Sequence, residues 1–118
     1  MLKVYTYQGC STCRNAIKWL KSQGVPHAEF AIRETPPDLT ELRAMLKARG
    51  QLRLLFNTSG QDYRALNLKD KLPAMSEAEA LELLSRNGNL VKRPFAIGAV
   101  QKVFLTGFNE VEWGKALA

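Results

Sequence analysis

A change of hydrophobic period across two cysteines constrains this chain more than any other feature. Leu2 to Tyr7 alternates Leu, Val and Thr with Lys and Tyr, and Gly9 follows, which predicts a short strand running into a turn. From Ser11 the period becomes helical. Cys13, Ile17 and Leu20 recur on one face with Ala16 beside them, while Arg14, Lys18 and Lys21 line another. Gly24 closes that helix as a C′ residue, and Pro26 follows it. His27 to Ile32 then reads as a second short strand. Connections this short allow only a compact βαβ unit. Cys10-Ser11-Thr12-Cys13 lies at its strand-to-helix junction.

Thr35-Pro36-Pro37 interrupts the pattern. Asp38 starts the next helix with Glu41 three residues on, a capping-box spacing with Asp in the Ser/Thr place. Leu39, Leu42, Met45 and Leu46 form its buried stripe, and Gly50 ends it. Residues 51–71 carry a weaker signal: apolar Leu52, Leu54, Leu55 and Phe56, a turn at Asn57 to Gly60, and a short helix from Tyr63 to Leu68. Ser76 with Glu79 makes a second capping box, Leu81 and Leu84 supply the stripe, and Asn87-Gly88-Asn89 stops that helix. Phe95 to Ile97 and Val103 to Leu105 predict an antiparallel hairpin. Asn109 caps a last helix with Glu112 at the third position, and Val111 and Trp113 are its candidate packing residues. At 118 residues the chain is read as one domain, 1–118, of α/β class in the order β-α-β, helices, β-β-α.

A CxxC at the strand-to-helix junction of a βαβ unit is a thioredoxin-like redox signature. Cys10 would sit at the helix N-terminus, where unpaired N–H groups and the helix dipole favour a thiolate. Cys13 would lie within reach to resolve a mixed disulfide or sulfenic acid on it. Arg14 adds a nearby cation. Three other readings compete: buried packing thiols, half of a zinc site, and a stabilising disulfide. Zinc wants three or four ligands, and the chain has no second CxxC and a single histidine, His27. No metal is expected, and His27 reads as an ordinary surface or strand residue.

Leu90-Val91-Lys92-Arg93-Pro94-Phe95 is the second constellation. Only ~5–6% of X–Pro bonds in folded proteins are cis, so the case for a cis bond at Pro94 rests on its pairing with the CxxC. A thioredoxin-like layout puts a cis-proline opposite that motif. Arg93 would then point close to Cys10, where a guanidinium stabilises a thiolate and grips an oxyanion or carboxylate bidentately. A solvated pair of charges at a strand start is the alternative. Ser11, Thr12, Arg14, Arg64 and Lys92 are further candidates to line the cleft, with Asp62 and Tyr63 beside Arg64. Trp19 and Trp113 read as packing residues.

Composition narrows the class. The formal net charge is +6, but the basic residues are scattered in pairs over predicted helix surfaces. This argues against direct nucleic-acid binding. No apolar run approaches the ~20 residues that span a bilayer, and Met1 to Tyr5 lacks the sections of a signal peptide. Cytoplasm is the expected compartment, and a monomer the expected state.

Together these residues resemble the arsenate reductase/Spx (ArsC/Spx) family over essentially the whole chain. The landmarks are Tyr7 and Gly9 to Arg14, Ala16, Trp19-Leu20, Gly24, Leu54 to Thr58, Tyr63 to Leu66, Leu90 to Pro94, and Leu105 to Glu110. The resemblance implies a thioredoxin-like core of residues 1–32 and 89–118, with a helical insertion at about 33–88. Short length and the Val91 to Pro94 run are most similar to the YffB-type branch, suggested to be glutathione-linked thiol reductases. The CxxC is more similar to Spx-type regulators, whose cysteine pair is a redox switch and which bind RNA polymerase. Those carry a longer C-terminal tail than the eight residues after Glu110. Arsenate reductases of this fold hold their oxyanion with several arginines, one matching Arg93 and another about a dozen residues later. Here that later stretch is Val103 to Gly107, without arginine. Family members also tend to read Asn-Thr-Arg-Gly where this chain has Asn57-Thr58-Ser59-Gly60.

Two functions follow as expectations. The first is a thiol-disulfide reductase with Cys10 attacking, Cys13 or glutathione resolving, and Arg93 stabilising thiolate and substrate. It would need no tightly bound cofactor, and glutathione or thioredoxin would be the reductant. The second is a redox-switched module that binds a protein partner such as RNA polymerase.

Overall fold

Alternation in β1 (Leu2–Thr6) puts Leu2 and Val4 on one face of the sheet and Lys3 and Tyr5 on the other. The computed structural model describes residues 1–98 and 102–117. Residues 99–101, between the strands of the expected hairpin, and Ala118, at the close of the expected last helix, lie outside that description.

The chain passes from β1 into α1 (Ser11–Ser22) and returns as β2 (His27–Ala31), parallel to β1 from Leu2 opposite His27 to Thr6 opposite Ala31. Gly24 makes the reversal. At φ +66° it donates its N–H to the Lys21 carbonyl while Val25 donates to Leu20, the paired bonds of a Schellman motif. The sheet is completed by β3 (Phe95–Gly98), antiparallel to β1, and β4 (Val103–Thr106), antiparallel to β3. Its order is β2-β1-β3-β4. This is the expected thioredoxin-like arrangement, with the strand that delivers Cys10 inside the sheet.

Between β2 and β3 run α2 (Leu39–Arg49), α3 (Gln61–Ala65), α4 (Leu68–Lys71) and α5 (Glu77–Arg86), joined in part by 3₁₀ turns at Leu52–Leu55, Leu72–Ala74 and Gly88–Leu90. Both expected capping boxes form, Asp38 with Glu41 and Ser76 with Glu79. On α2 the buried stripe is narrower than its sequence pattern: Leu42 and Met45 are fully buried, whereas Leu39 and Leu46 are half-buried. Glu41 does more than cap. Its carboxylate also accepts from Tyr5 Oη at 2.6 Å and Lys3 Nζ at 2.7 Å, which fastens α2 to β1.

Each sheet face carries its own core. Tyr5, Phe95 and Ile97 pack under α2, α5 and the turns between them. Leu2, Val4, Ala96, Val103 and Leu105 pack under α1 and α6 (Glu110–Leu117), where Trp113 is fully buried and donates its indole N–H to the Gly107 carbonyl at 3.0 Å. Asn109 Oδ1 accepts the Glu112 N–H at 3.0 Å, the expected cap. Val111 departs from its expected packing role: it is 67% exposed, because the buried face of this short helix is taken by Trp113. Trp19 of α1, Trp113 and Phe108 form an aromatic trio with ring centroids 5.1–6.4 Å apart. Among the described residues, no helix is long and apolar enough to cross a membrane.

Candidate functional site

Cys10 is the N-cap of α1. Its backbone is extended, at φ −97° and ψ 113°, and its sulfur accepts the Cys13 N–H at 3.2 Å, the place a serine or aspartate oxygen takes in an ordinary cap. The first turn holds no acidic residue to oppose a negative charge there. Cys10 is partly exposed and Cys13 is 1% exposed, both as free thiols.

The two thiols are driven apart. Burial of Cys10 opposes its ionisation. Hydrogen bonds from the Cys13 thiol and N–H, the Arg93 charge and the Thr12 backbone together outweigh that, and its pKa falls below the ordinary thiol value. Burial and the hydrogen bond to Cys10 push Cys13 up to about 12, against smaller opposing effects of the Tyr7 backbone and Arg93. Environment alone thus separates a thiol poised to ionise from one held neutral.

This has a consequence for stability. Above ~8.5 an unfolded thiol releases its proton while native Cys13 keeps it, so rising pH favours unfolding until about 12. Cys10 acts with the opposite sign, adding stability from its lowered pKa up to ~8.5 and nothing further beyond. Tyr5, pushed to about 12, begins to count only above its ordinary ~10. The reduced protein is therefore expected to lose about 1 kcal/mol per pH unit between ~8.5 and 10, read from urea midpoints, with Cys13→Ala flattening the slope. A flat wild-type profile would remove the assignment of Cys13 as a buried neutral thiol.

Cys10 opens into a cleft of about 570 Å³, which it shares with Tyr7, Lys92, Arg93, Asn57 and Phe108. The Arg93–Pro94 peptide is cis, and the Pro94 carbonyl accepts the Gly107 N–H at 2.9 Å, tying the arginine's segment to the chain after β4. The Arg93 guanidinium lies 4.8 Å from the Tyr7 ring centroid, and its Nη1 is buried with no protein partner. Ser11 and Thr12 line the same cleft as exposed residues, as does exposed Lys92.

Other candidates lie elsewhere. Arg14 turns back to donate to the Gln8 carbonyl at 2.9 Å and lines a separate cleft of about 530 Å³ with Cys13 and Glu29. Arg64 lies outside the Cys10 cleft, because the short α3 lets it fold back onto its own leading loop and donate to the Ser59 carbonyl at 3.1 Å. Asp62 accepts from the side-chain amides of Asn87 and Asn89, and Tyr63 is buried against Phe56. A larger, mostly apolar groove of about 740 Å³, between α2 and the sheet, holds neither cysteine; chemistry rather than size selects the site. Among the described residues, no three His, Cys, Asp or Glu side chains gather to hold a metal.

Sequence reasoning gave no role to Tyr7, Asn57 and Phe108 in the cleft, nor to Arg33, whose guanidinium lies 4.9 Å from the Tyr7 ring. The one available signal was Tyr7, an aromatic residue three positions before Cys10 at the end of the strand pattern.

Comparison with known proteins places this geometry in context. The sequence profile of the ArsC family matches residues 5–116. The chain is 48% identical over 110 residues to the uncharacterized protein YusI of Bacillus subtilis (strain 168), covering 92% of each. It is 33% identical over 114 residues to the global transcriptional regulator Spx of Enterococcus faecalis, covering 95% of this chain and 83% of that one. A solved structure from Streptococcus mutans, described as a possible arsenate reductase, superposes with a TM-score of 0.86 at 41% identity over 92% of each chain.

Proposed function

The chain belongs to the ArsC family and is a thiol redox protein, and on that premise we propose that it works as a thiol-disulfide reductase of the cytoplasm. The observation that carries this reading is the opposed pair: Cys10 lowered at a helix N-terminus beside Arg93, and Cys13 buried, protonated and bonded to it. The Cys10 thiolate attacks one sulfur of a substrate disulfide. The other sulfur leaves as a thiolate and takes a proton from solvent. Cys13 then gives up its proton as it attacks the Cys10 sulfur of the mixed disulfide, and the second substrate thiolate leaves. Two electrons have passed to the substrate, and a Cys10–Cys13 disulfide remains, to be reduced by glutathione or thioredoxin. Arg93 stabilises the thiolate and the anionic groups of the substrate throughout. Arsenate is outside this reading: Arg93 and Lys92 are the cations of the described cleft, and no second arginine joins them.

Cys13→Ser tests the division of labour. Incubated with glutathione disulfide, the variant is expected to accumulate a glutathionyl adduct on Cys10, whereas the wild type proceeds to the internal disulfide. Intact-mass measurement separates the two. If both proteins stop at the adduct, Cys13 is not the resolving thiol and a single-cysteine glutathione mechanism replaces this one.

The identity with Spx favours a second reading, a redox-switched regulator whose partner is RNA polymerase. The reduction potential separates them. A value near ~−270 mV suits a donor of electrons, and a much higher one suits a pair that oxidises only under stress.

A further inference from the structure

We propose that Tyr7 is a positioning residue that holds the Arg93 guanidinium beside Cys10, and that Arg33 is the tether that fixes the Tyr7 ring. The proposal rests on the reading of Arg93 as the cation of the Cys10 thiolate. What it adds is the means by which that cation is kept in place.

A guanidinium is usually fixed by a carboxylate. Among the described residues none forms an ion pair with Arg93, and its Nη1 is buried without a partner. The Tyr7 ring lies against it instead, 4.8 Å from centroid to guanidinium carbon. That choice suits the chemistry. A carboxylate would cancel the charge that Cys10 uses, whereas the face of an aromatic ring attracts the cation and leaves its charge intact.

The ring itself is held from two further sides. Arg33 stacks on it at 4.9 Å and donates from Nη1 to Tyr7 Oη at 3.1 Å. The Ile32 N–H reaches the Thr6 carbonyl at 2.9 Å, which carries the β2 pairing past the strand end and sets Arg33 beside Tyr7. Gly9 forms the other side: a Cβ there would come within 2.7 Å of Tyr7 Cε2 and 3.3 Å of its Oη. Only glycine leaves the ring this position directly before Cys10. Arg33 is exposed and its own field is screened, so its influence passes through the ring.

The test follows Cys10 thiolate absorbance near 240 nm against pH, with iodoacetamide rates at pH 7, in the reduced full chain. Cys13 stays protonated in this range and does not interfere. Arg93→Ala is expected to slow alkylation roughly ten-fold and Tyr7→Leu roughly five-fold, each by raising the Cys10 pKa. The double variant should be no slower than Arg93→Ala alone. Arg33→Lys keeps the charge and loses the planar stack, and Tyr7→Phe keeps the stack on Arg93 and loses the Arg33 bond. Both should slow the reaction roughly two-fold.

If Arg93→Ala slows the reaction and Tyr7→Leu does not, the positioning role is overturned and the function stands. The same holds if Tyr7→Leu is equally harmful in the Arg93→Ala background, since Tyr7 would then act on its own. No effect of Arg93→Ala removes both the cation assignment and the proposal. Should Tyr7→Leu lose its native circular dichroism, the exposed Arg33→Lys change decides: an unaltered Cys10 titration overturns the proposal.

Discussion

Cys10→Ser is expected to abolish fast alkylation, lowering iodoacetamide incorporation at pH 7 by about a hundred-fold or more. The size follows from what remains. Cys13 is 1% exposed, and burial, the largest cause of its raised pKa, persists without Cys10, so little of it is thiolate near neutrality. The same variant unfolded in urea should label normally at Cys13, which separates protection by structure from damage to the thiol. A folded Cys10→Ser protein that still labels within two-fold of the wild type would show Cys13, or an opened state, to be the reactive species. The nucleophile would then have been assigned to the wrong sulfur.

The largest stability effect is expected outside the lining of the Cys10 cleft, at Gly88. A Cβ on this residue would sit 1.9 Å from the Ile32 carbonyl oxygen, 2.7 Å from its carbon and 3.0 Å from Arg33 Cα. All three atoms are backbone, so no rotamer change relieves the contact. The two segments must part, and one of them follows β2 while the other leads through Leu90 and Val91 toward Arg93. Gly88→Ala should cost about 3 kcal/mol or more in urea unfolding, at the upper end of overpacking effects. Gly24→Ala makes the comparison. Its Cβ would meet nothing within 4 Å, so only the positive φ of +66° opposes it, and about 1 kcal/mol is expected. Equal losses at the two positions would mean that the 88–32 approach opens cheaply. Gly88→Ala should also slow Cys10 alkylation, because Arg33 is moved from Tyr7.

What was legible from sequence was local. The period change at Cys10 to Cys13, the glycine after α1 and the two Asp/Ser-to-Glu boxes each depend on a few adjacent residues, and each is found in the structure. The β-α-β and β-β-α order followed from those local elements, and the sheet agrees. Long-range placement was less legible. Arg64 was a cleft candidate by its neighbours in sequence, yet α3 is five residues long and its arginine is used up on Ser59. Arg33 had no local signal at all, since it meets Tyr7 across 26 positions of chain. Val111 fitted an apolar pattern on a helix too short to bury two faces. Residues 51–71 carry a weak signal because 3₁₀ turns and four- or five-residue helices have no period long enough to count.

The aromatic trio gives the molecule an optical handle. Phe108 lines the Cys10 cleft, while Trp19 rides on the helix that Cys10 caps and Trp113 is sealed beneath it. Both indoles therefore sit one ring away from the Cys10 cleft, Trp19 on the helix whose first turn would rearrange if the cysteines joined and Trp113 on α6. Tryptophan emission should report thiol-disulfide exchange in real time without a label. Trp19→Phe would then divide the signal into a part from the moving helix and a part from the sealed indole.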